Sequence, residues 1–163
     1  MSITAPSIIE SARLRRVFAA HPSGVTALAA TVDETPVGMI ASTFTAVSLE
    51  PALVSVCIAH SSTTWPTLRK ASHLGLSLLS SQQQHAGRAL SGHASERFTA
   101  LDWRESPTGA ILLDNASAWF ETTLHDVFRA GDHDIVVLRV RDLDVDESTT
   151  PLVYHGSAFR QLA

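Results

Sequence analysis

Short runs of small, apolar and β-branched residues dominate the sequence, and only brief helical segments interrupt them. The predicted strands are residues 25–32, 37–44, 53–60, 73–79, 116–127, 134–145 and 152–162. Parallel strands need a long crossover between each pair, usually a helix, and the sequence shows no such alternation. The pattern therefore predicts a mainly β, antiparallel fold. A closed or nearly closed barrel would leave few exposed strand edges.

Three short segments have the features of helices. The predicted helices are residues 8–20, 63–71 and 81–90. In the second, Thr64 is placed to cap the helix and Pro66 falls in the first turn, where a missing N–H costs little. The third opens with Ser81-Gln82-Gln83-Gln84, which fits a capping box.

Two irregular features are predicted between and within the strands. Residues 91–108 lose periodicity, and so long a loop is usually functional or covers another element, so we interpret it as a flap. Along 134–145, Leu138 and Val140 share one face while Leu143 and Val145 fall on the other. This change of parity predicts a β-bulge near Arg141-Asp142.

Length, charge and cysteine content limit the class of protein. The 163 residues suit a single domain, residues 1–163, whose first seven residues we expect to be flexible. A net charge of -4 argues against nucleic acid as a partner. No apolar run approaches the roughly 20 residues that span a bilayer, so no membrane association is expected. One cysteine, Cys57, and the lack of a secretory signal favour the cytoplasm.

Several common catalytic and cofactor motifs are missing. The sequence contains no Gly-x-Gly, no Walker phosphate loop and no Gly-x-Ser-x-Gly nucleophile elbow. A single cysteine cannot build a thiolate zinc site. The most suggestive histidines are spaced too widely to share a helix face: His60, His73, His85 and His93. We therefore predict no metal.

One strand segment carries more hydroxyl groups than a core strand requires. Within residues 40–48, the hydroxyl side chains are Ser42, Thr43, Thr45 and Ser48. Small polar side chains leave backbone and O–H groups free to bond a planar heterocycle and a ribityl chain. Taken alone, an ordinary strand and turn facing water explains the same composition better.

Three further clusters are candidates for ligand binding. Ser61-Ser62-Thr63-Thr64 lies where a strand ends and a helix begins, which suits a phosphate, although these residues could simply cap the helix. Arg97-Phe98 in the flap could add a guanidinium and a ring, although a surface arginine needs no ligand. Gly131-Asp132-His133-Asp134 has the composition of a turn, whose histidine could donate to a carboxamide or phosphate or could simply be solvated.

Taken in order, these segments resemble the flavin reductase family, the short reductase partners of two-component flavin-dependent monooxygenases. The resemblance runs from about residue 18 to residue 162. The matching stretches are Pro22-Ser23-Gly24-Val25-Thr26, residues 36–51, residues 53–58, Ser62-Thr63-Thr64-Trp65, Arg97-Phe98, Gly131-Asp132-His133 and Pro151-Leu152-Val153-Tyr154. The departures from the family pattern are Ala52, Ser77, Arg97 and Leu138. None of the four removes the proposed site.

The resemblance implies a fold and a set of roles. The fold would be an FMN-binding split β-barrel, antiparallel and Greek-key-like, forming a homodimer with flavin near the subunit boundary. The flavin ring and ribityl chain would be lined by Ala41, Ser42, Thr43 and Ser48, and by the backbone of Cys57, Ile58 and Ala59. The phosphate would be held by Ser62, Thr63 and Arg97, with Phe98 beside the ring. His133, the candidate catalytic residue, and Tyr154 would place the nicotinamide.

The resemblance also implies an activity. The chain would be an NAD(P)H:flavin oxidoreductase that reduces FMN or FAD with NADH or NADPH and supplies reduced flavin to a partner monooxygenase. Two other functions fit the same barrel, because a fold does not determine a function. One is a flavin-binding or electron-transfer protein without efficient nicotinamide turnover. The other is an interaction module that no longer binds flavin.

Overall fold

The computed structural model describes residues 8–163, so the expected flexibility of residues 1–7 lies outside the described part of the chain. The helices are α1 (Ser11–Phe18), α2 (Trp65–Leu68) and α3 (Gln84–Leu90), with a short 3-10 helix at Ala94–Glu96. The first six strands are β1 (Ser23–Gly24), β2 (Thr26–Val32), β3 (Thr35–Ala41), β4 (Thr45–Leu49), β5 (Ala52–Ala59) and β6 (Leu74–Leu78). The other six are β7 (Trp103–Glu105), β8 (Ile111–Leu113), β9 (Ala118–Ala130), β10 (His133–Val145), β11 (Leu152–His155) and β12 (Ala158–Gln161).

The main sheet has seven strands in the order β3-β2-β6-β9-β10-β5-β4, and every strand pair in it is antiparallel. A three-stranded sheet, β1-β11-β12, and a β7–β8 hairpin complete the fold. Strand β5 pairs with β10 rather than with β6, the next strand in the chain, which gives the Greek-key-like order. The predicted mainly β, split-barrel fold is confirmed. Within residues 8–163, no helix has the length and apolar character needed to cross a membrane.

Two apolar clusters pack on the two faces of β2. One cluster includes Leu28, Val56 and Leu138, all fully buried. The other includes Ala27 and is completed by side chains of α3 and the C-terminal hairpin. Strand β2 serves both clusters because successive side chains of a strand point to opposite faces.

The predicted bulge in the tenth strand is confirmed. The pairing of β10 with β9 shifts register between Val140 and Asp142, which turns the later apolar side chains to the other face. A second shift, between Val137 and Leu138, was not predicted.

The predicted Ser81 cap is wrong, and Thr64 occupies the predicted N-cap position of α2 without a capping hydrogen bond. The Ser81 hydroxyl lies 2.9 Å from that of Thr150 and caps nothing. Helix α3 instead begins at Gln84, and the side chain of Gln83 accepts a hydrogen bond from the Ser80 amide at 3.0 Å. At α2, Thr64 makes no capping bond, and the Ser62 hydroxyl accepts from the Trp65 amide at 3.2 Å. The hydroxyls of Ser81 and Thr64 instead form hydrogen bonds with residues distant in sequence, Thr150 and Arg97.

Three predicted segments divide differently from expectation. The predicted strand 152–162 is the hairpin β11–β12, whose turn residues Gly156 and Ser157 have φ of 59° and 61°. The predicted strand 37–44 ends at Ala41, and a separate strand, β4, follows it. The flap contains β7, which pairs with the buried strand β8. First-turn placement of Pro66 in α2 is confirmed, although this helix has only four residues.

Candidate functional site

The side chain of Arg97 joins the flap to two other parts of the barrel. Its Nη1 donates to the Gly38 carbonyl oxygen at 2.9 Å and to the Thr64 hydroxyl at 2.8 Å. Its Nε donates to the Gly92 carbonyl at 3.0 Å within the flap. Arg97 therefore lies between β3 and the loop that precedes α2.

A cleft of 340 Å³ lies at this junction, and Thr63, Thr64, Arg97 and Phe98 line it. Arginine carries five N–H donors. Among the described residues, neither N–H of the Arg97 Nη2 has a partner, and the Thr63 hydroxyl is also unpaired. These free donors and a permanent positive charge are the groups that a phosphate needs.

Phe98 anchors the flap against a glycine of β3. A Cβ atom on Gly38 would lie 2.7 Å from Cζ of Phe98, so the ring occupies the space that a side chain would fill. The ring also meets Trp103 edge-on, with centroids 5.8 Å apart. Phe98 is thus a half-buried packing residue at the cleft wall, and its expected place beside a flavin ring stays a prediction.

The loop after β5 is held by short-range contacts. The Ser62 amide donates to the Ala59 carbonyl at 3.0 Å, while the Ser62 hydroxyl accepts from Trp65. The amide and the hydroxyl of Ser62 are both engaged, whereas the hydroxyl of the exposed Thr63 is available to a ligand. The structure therefore brings Thr63 and Arg97 together, as predicted for a phosphate site.

Thr43 fastens the loop after β3 to the backbone of β5. Its hydroxyl accepts from the Cys57 amide at 2.8 Å and donates to the Cys57 carbonyl at 3.3 Å. Ser42 and Thr43 are exposed beside this contact. Ala41 is only 6% exposed and its side chain packs in the core, so only its backbone could meet a ligand.

His133 begins β10 and is the cross-strand partner of Ala59. Its Nδ1 donates to the Asp132 carboxylate at 2.7 Å. This hydrogen bond, reinforced by the charge of His133, holds the pKa of Asp132 below its ordinary value of 3.8. The pairing brings His133 to the end of β5 that carries Ala59 and Ser62.

A second histidine, which the sequence did not single out as part of the site, lies beside His133. Nε2 of His60 is 2.8 Å from Oδ1 of Asp134, and the His60 amide donates to the Asp132 carbonyl at 2.9 Å. His60 thus contacts the residues on either side of His133, Asp132 and Asp134. The register of β5 against β10 could have revealed this pair, but the register depends on contacts distant in sequence.

Tyr154 lies on the C-terminal hairpin, 39% exposed, with its ring edge-on to Phe159 at a centroid distance of 5.6 Å. Two cavities, of 570 Å³ and 700 Å³, meet along Tyr154, Ser42 and Ser157. The larger one also reaches Thr43. Tyr154 is therefore brought together with the predicted Ser42 and Thr43.

Ser48 is the predicted site residue that the fold separates from the others. It pairs with Leu53, near the start of β5. Leu53 precedes Cys57 by four residues, which corresponds to about 13 Å along a strand. Within the described residues 8–163, no three His, Cys, Asp or Glu side chains are grouped so that they could hold a metal ion.

The flavin reductase like domain family matches residues 18–163 of the chain. The chain belongs to this family. The match covers every strand of the barrel, together with the flap and the turn that carries His133.

Two relatives and one solved structure illustrate the similarity. The reductase subunit Stc3 of stachydrine N-demethylase from Rhizobium meliloti is 37% identical over 134 residues, 82% of this chain and 58% of that protein. The reductase component of a flavin-dependent trigonelline monooxygenase from Acinetobacter baylyi is 35% identical over 130 residues, 79% of this chain and 42% of that protein. The chain therefore spans about half the length of these two curated relatives.

The solved structure covers almost the whole chain. Streptomyces globisporus NADH:FAD oxidoreductase SgcE6, in complex with NAD and FAD fragments, is 31% identical, with a TM-score of 0.88. The superposition covers 93% of this chain and 92% of that one. The flavin reductase like fold is thus shared over the barrel and the C-terminal hairpin.

Proposed function

We propose that this chain is an NAD(P)H-dependent flavin reductase that binds FMN or FAD and supplies reduced flavin to a partner monooxygenase. The observation that carries the proposal is the convergence of Thr63 and the free Nη2 of Arg97 in one cleft. Family membership and the similarity to an NADH:FAD oxidoreductase support it.

The residues present fit a flavin. Arg97 and Thr63 would hold the phosphate, and the backbone of the half-buried Cys57, the buried Ile58 and the half-buried Ala59, at the end of β5, would run along the ring. Thr43 would keep this region in place through its two bonds to Cys57 rather than bind the ring through its hydroxyl. Bound flavin supplies the hydride acceptor, because hydride chemistry belongs to the cofactors.

His133 and Tyr154 would orient the hydride donor. His133 is held by Asp132 through Nδ1, which leaves its Nε2 available to a carboxamide. Positioning of two reactants is a large part of what such a site can contribute. His60 would act as a positioning residue, since it holds Asp132 and Asp134 on either side of His133.

Steady-state oxidation of NADH and of NADPH, with and without added FMN or FAD, tests the activity. We expect flavin-dependent oxidation of at least one nicotinamide, with a lower kcat in His133→Ala and unchanged flavin affinity. Protein that quenches flavin fluorescence but oxidises neither nicotinamide would support the electron-transfer alternative. Protein that binds no flavin would support the interaction module.

We also propose a homodimer. Phe128 and Ile135 are paired across β9 and β10, 52% and 36% exposed, and Ile135 pairs in turn with Cys57 of β5. Paired residues lie on the same face of a sheet, so these three side chains form one apolar row. A second copy that covers the row would lie next to the end of β5, which is consistent with flavin near a subunit boundary.

The remaining proposals concern organisation and location. We propose one domain, because β2 contributes Leu28 to one core cluster and Ala27 to the other. We propose a cytoplasmic location, because nicotinamide cofactors are available there. Its reducing conditions also suit a free thiol such as that of the half-buried Cys57. Transfer of reduced flavin to an oxygenase is supported by the monooxygenase reductase component among the relatives.

A further inference from the structure

A groove outside the Arg97 cleft has the size and lining of a ligand site. It consists of the cavities of 570 Å³ and 700 Å³ that meet at Ser42, Tyr154 and Ser157. We call it the hairpin groove, because β11, β12 and their turn form one wall. Each of the two cavities falls within the range of about 300–1,000 Å³ that small-molecule sites commonly enclose.

The hairpin groove is positively charged in a chain whose net charge is -4. Its charged and titratable lining consists of Arg88 in the first cavity and Arg15, His21 and His155 in the second, with Tyr154 between them. Neither cavity is lined by a carboxylate. Among the described residues, neither arginine has an acidic group within ion-pair distance.

The aromatic floor of the groove is held rigidly. A Cβ on Gly87 of α3 would lie 3.0 Å from Cζ of Phe159, so the ring is packed directly on the helix backbone. The Arg88 guanidinium lies 5.9 Å from the centroid of the same ring. At the other end, the Gly156 amide donates to the Ala19 carbonyl at 3.0 Å and ties the hairpin turn to the end of α1.

We propose that the hairpin groove binds the nucleoside diphosphate end of a dinucleotide, with Arg88 as its phosphate ligand. Aromatic rings provide stacking surfaces for a base, and unpaired guanidinium groups bind phosphate through paired N–H donors. Polar side chains in the lining could form hydrogen bonds with ribose hydroxyls, namely those of Gln84, Ser91 and Ser157. This inference rests on the proposed reductase function, which supplies two dinucleotides that could occupy the groove, NAD(P)H and FAD.

Titration calorimetry with ADP tests the groove directly. We expect wild-type protein to bind ADP and Arg88→Gln to bind it at least about fivefold more weakly, because a charge-assisted pair is lost. Arg88 is exposed, so the variant should fold, and the midpoint of thermal unfolding verifies this. Arg13→Gln is the matched control, because Arg13 is an exposed arginine of α1 that lines neither cavity.

Kinetics then identify the dinucleotide. A KM for NADH that rises in Arg88→Gln, with unchanged turnover of 1-benzyl-1,4-dihydronicotinamide, which has no phosphate, would assign the groove to the nicotinamide dinucleotide. A loss of FAD affinity with unchanged FMN affinity would assign it to FAD. Either result supports the proposal.

The proposal is overturned if wild-type protein does not bind ADP, or if Arg88→Gln and Arg13→Gln weaken ADP equally. These failures are distinct from failure of the proposed reductase. Wild-type protein that oxidises no nicotinamide would defeat the reductase function, whereas the ADP titration would still decide whether the groove binds a nucleotide.

Discussion

Arg97 of the flap donates a 2.9 Å hydrogen bond to the carbonyl oxygen of Gly38, a residue 59 positions earlier in β3. The next side chain, Phe98, packs on the same glycine. Two adjacent residues therefore attach the flap to β3, Arg97 through a hydrogen bond and Phe98 through the packing of its ring. The same arginine lines the cleft in which we place the flavin phosphate, so one side chain holds the flap and would also bind the phosphate.

We expect Arg97→Gln to weaken binding of FMN by about tenfold or more, since a hydrogen bond to a charged group contributes about 1.5–3 kcal/mol. Riboflavin, which has no phosphate, should bind the variant and the wild type equally. Arg97→Lys should be intermediate, because lysine keeps the charge but cannot reproduce the planar donor arrangement. Quenching of flavin fluorescence measures all of these affinities.

Arg104→Gln is the control for this comparison, because Arg104 pairs with Asp114 and lies outside the cleft. FMN affinity should not change in this control. Equal losses for FMN and riboflavin in Arg97→Gln would show that Arg97 acts only by holding the flap.

Close packing at two glycines predicts graded losses of stability. Gly38→Ala should lower the free energy of unfolding by about 1–3 kcal/mol, because the new methyl group meets the movable ring of Phe98. Gly75→Ala should cost more, because its Cβ would overlap the backbone carbonyl of Ile111, which cannot swing aside. Urea denaturation measures both values.

Gly24→Ala is the matched control, since nothing lies within 4 Å of a Cβ at that position. We expect it to change stability by less than about 0.5 kcal/mol. Gly75→Ala that is no less stable than Gly24→Ala would contradict the close approach of β6 to β8.

The pair formed by Asp132 and His133 predicts a specific titration. The hydrogen bond from His133 lowers the pKa of Asp132, so the resulting stabilisation is present above the ordinary value of 3.8 and is lost as pH falls through the lower native value. In His133→Gln, the pKa of Asp132 should rise towards 3.8. Carbon-detected NMR titration of the carboxyl group measures this shift.

Asp146 is an internal control in the same spectra, because hydrogen bonds from Ser148 lower its pKa independently of His133. Its titration should be the same in both proteins. A pKa for Asp132 that is already normal in the wild type would rule out the close contact with His133.

The apolar row on the outer face predicts a defined dimer contact. Phe128→Glu would place a charge in the contact and should yield monomers in sedimentation velocity, because an unpaired buried charge is costly. Arg129→Glu changes the neighbouring residue, which points to the other face of β9, and should leave the dimer intact. Dimers that survive Phe128→Glu would show that a different surface associates.

Local sequence patterns were enough to predict the longer strands and one of the two register shifts in β10. Polar and apolar residues alternate along this part of β10, so the change of face is visible in the sequence. It lies between the pair Leu138 and Val140 and the pair Leu143 and Val145. The other shift lies between Val137 and Leu138, both buried, so no contrast in polarity marks it. Similarly, the charged residues of β7 do not form a strand-like pattern, and the pairing of β7 with the buried strand β8 defines it as a strand.

Contacts between distant residues account for most of what the sequence did not predict at the site. Ser81 has the spacing of a cap, but its hydroxyl is paired with Thr150, 69 residues later. His60 reaches Asp134 across 74 residues, and only the register of β5 against β10 brings them together. That Thr63 and Arg97 line one cleft was expected from the family resemblance rather than from any local pattern, and their binding of a phosphate stays a prediction.

The attachment of the flap through Arg97 and Phe98 has a practical consequence for protein engineering. The residues just before this pair, from His93 to Glu96, are all exposed, and their side chains make no hydrogen bond within the described chain. Exposed segments of this kind tolerate inserted sequence well. A peptide tag or a small reporter domain could be inserted there, beside the cleft but outside the barrel, so that its signal would report on flap position without any change to the core.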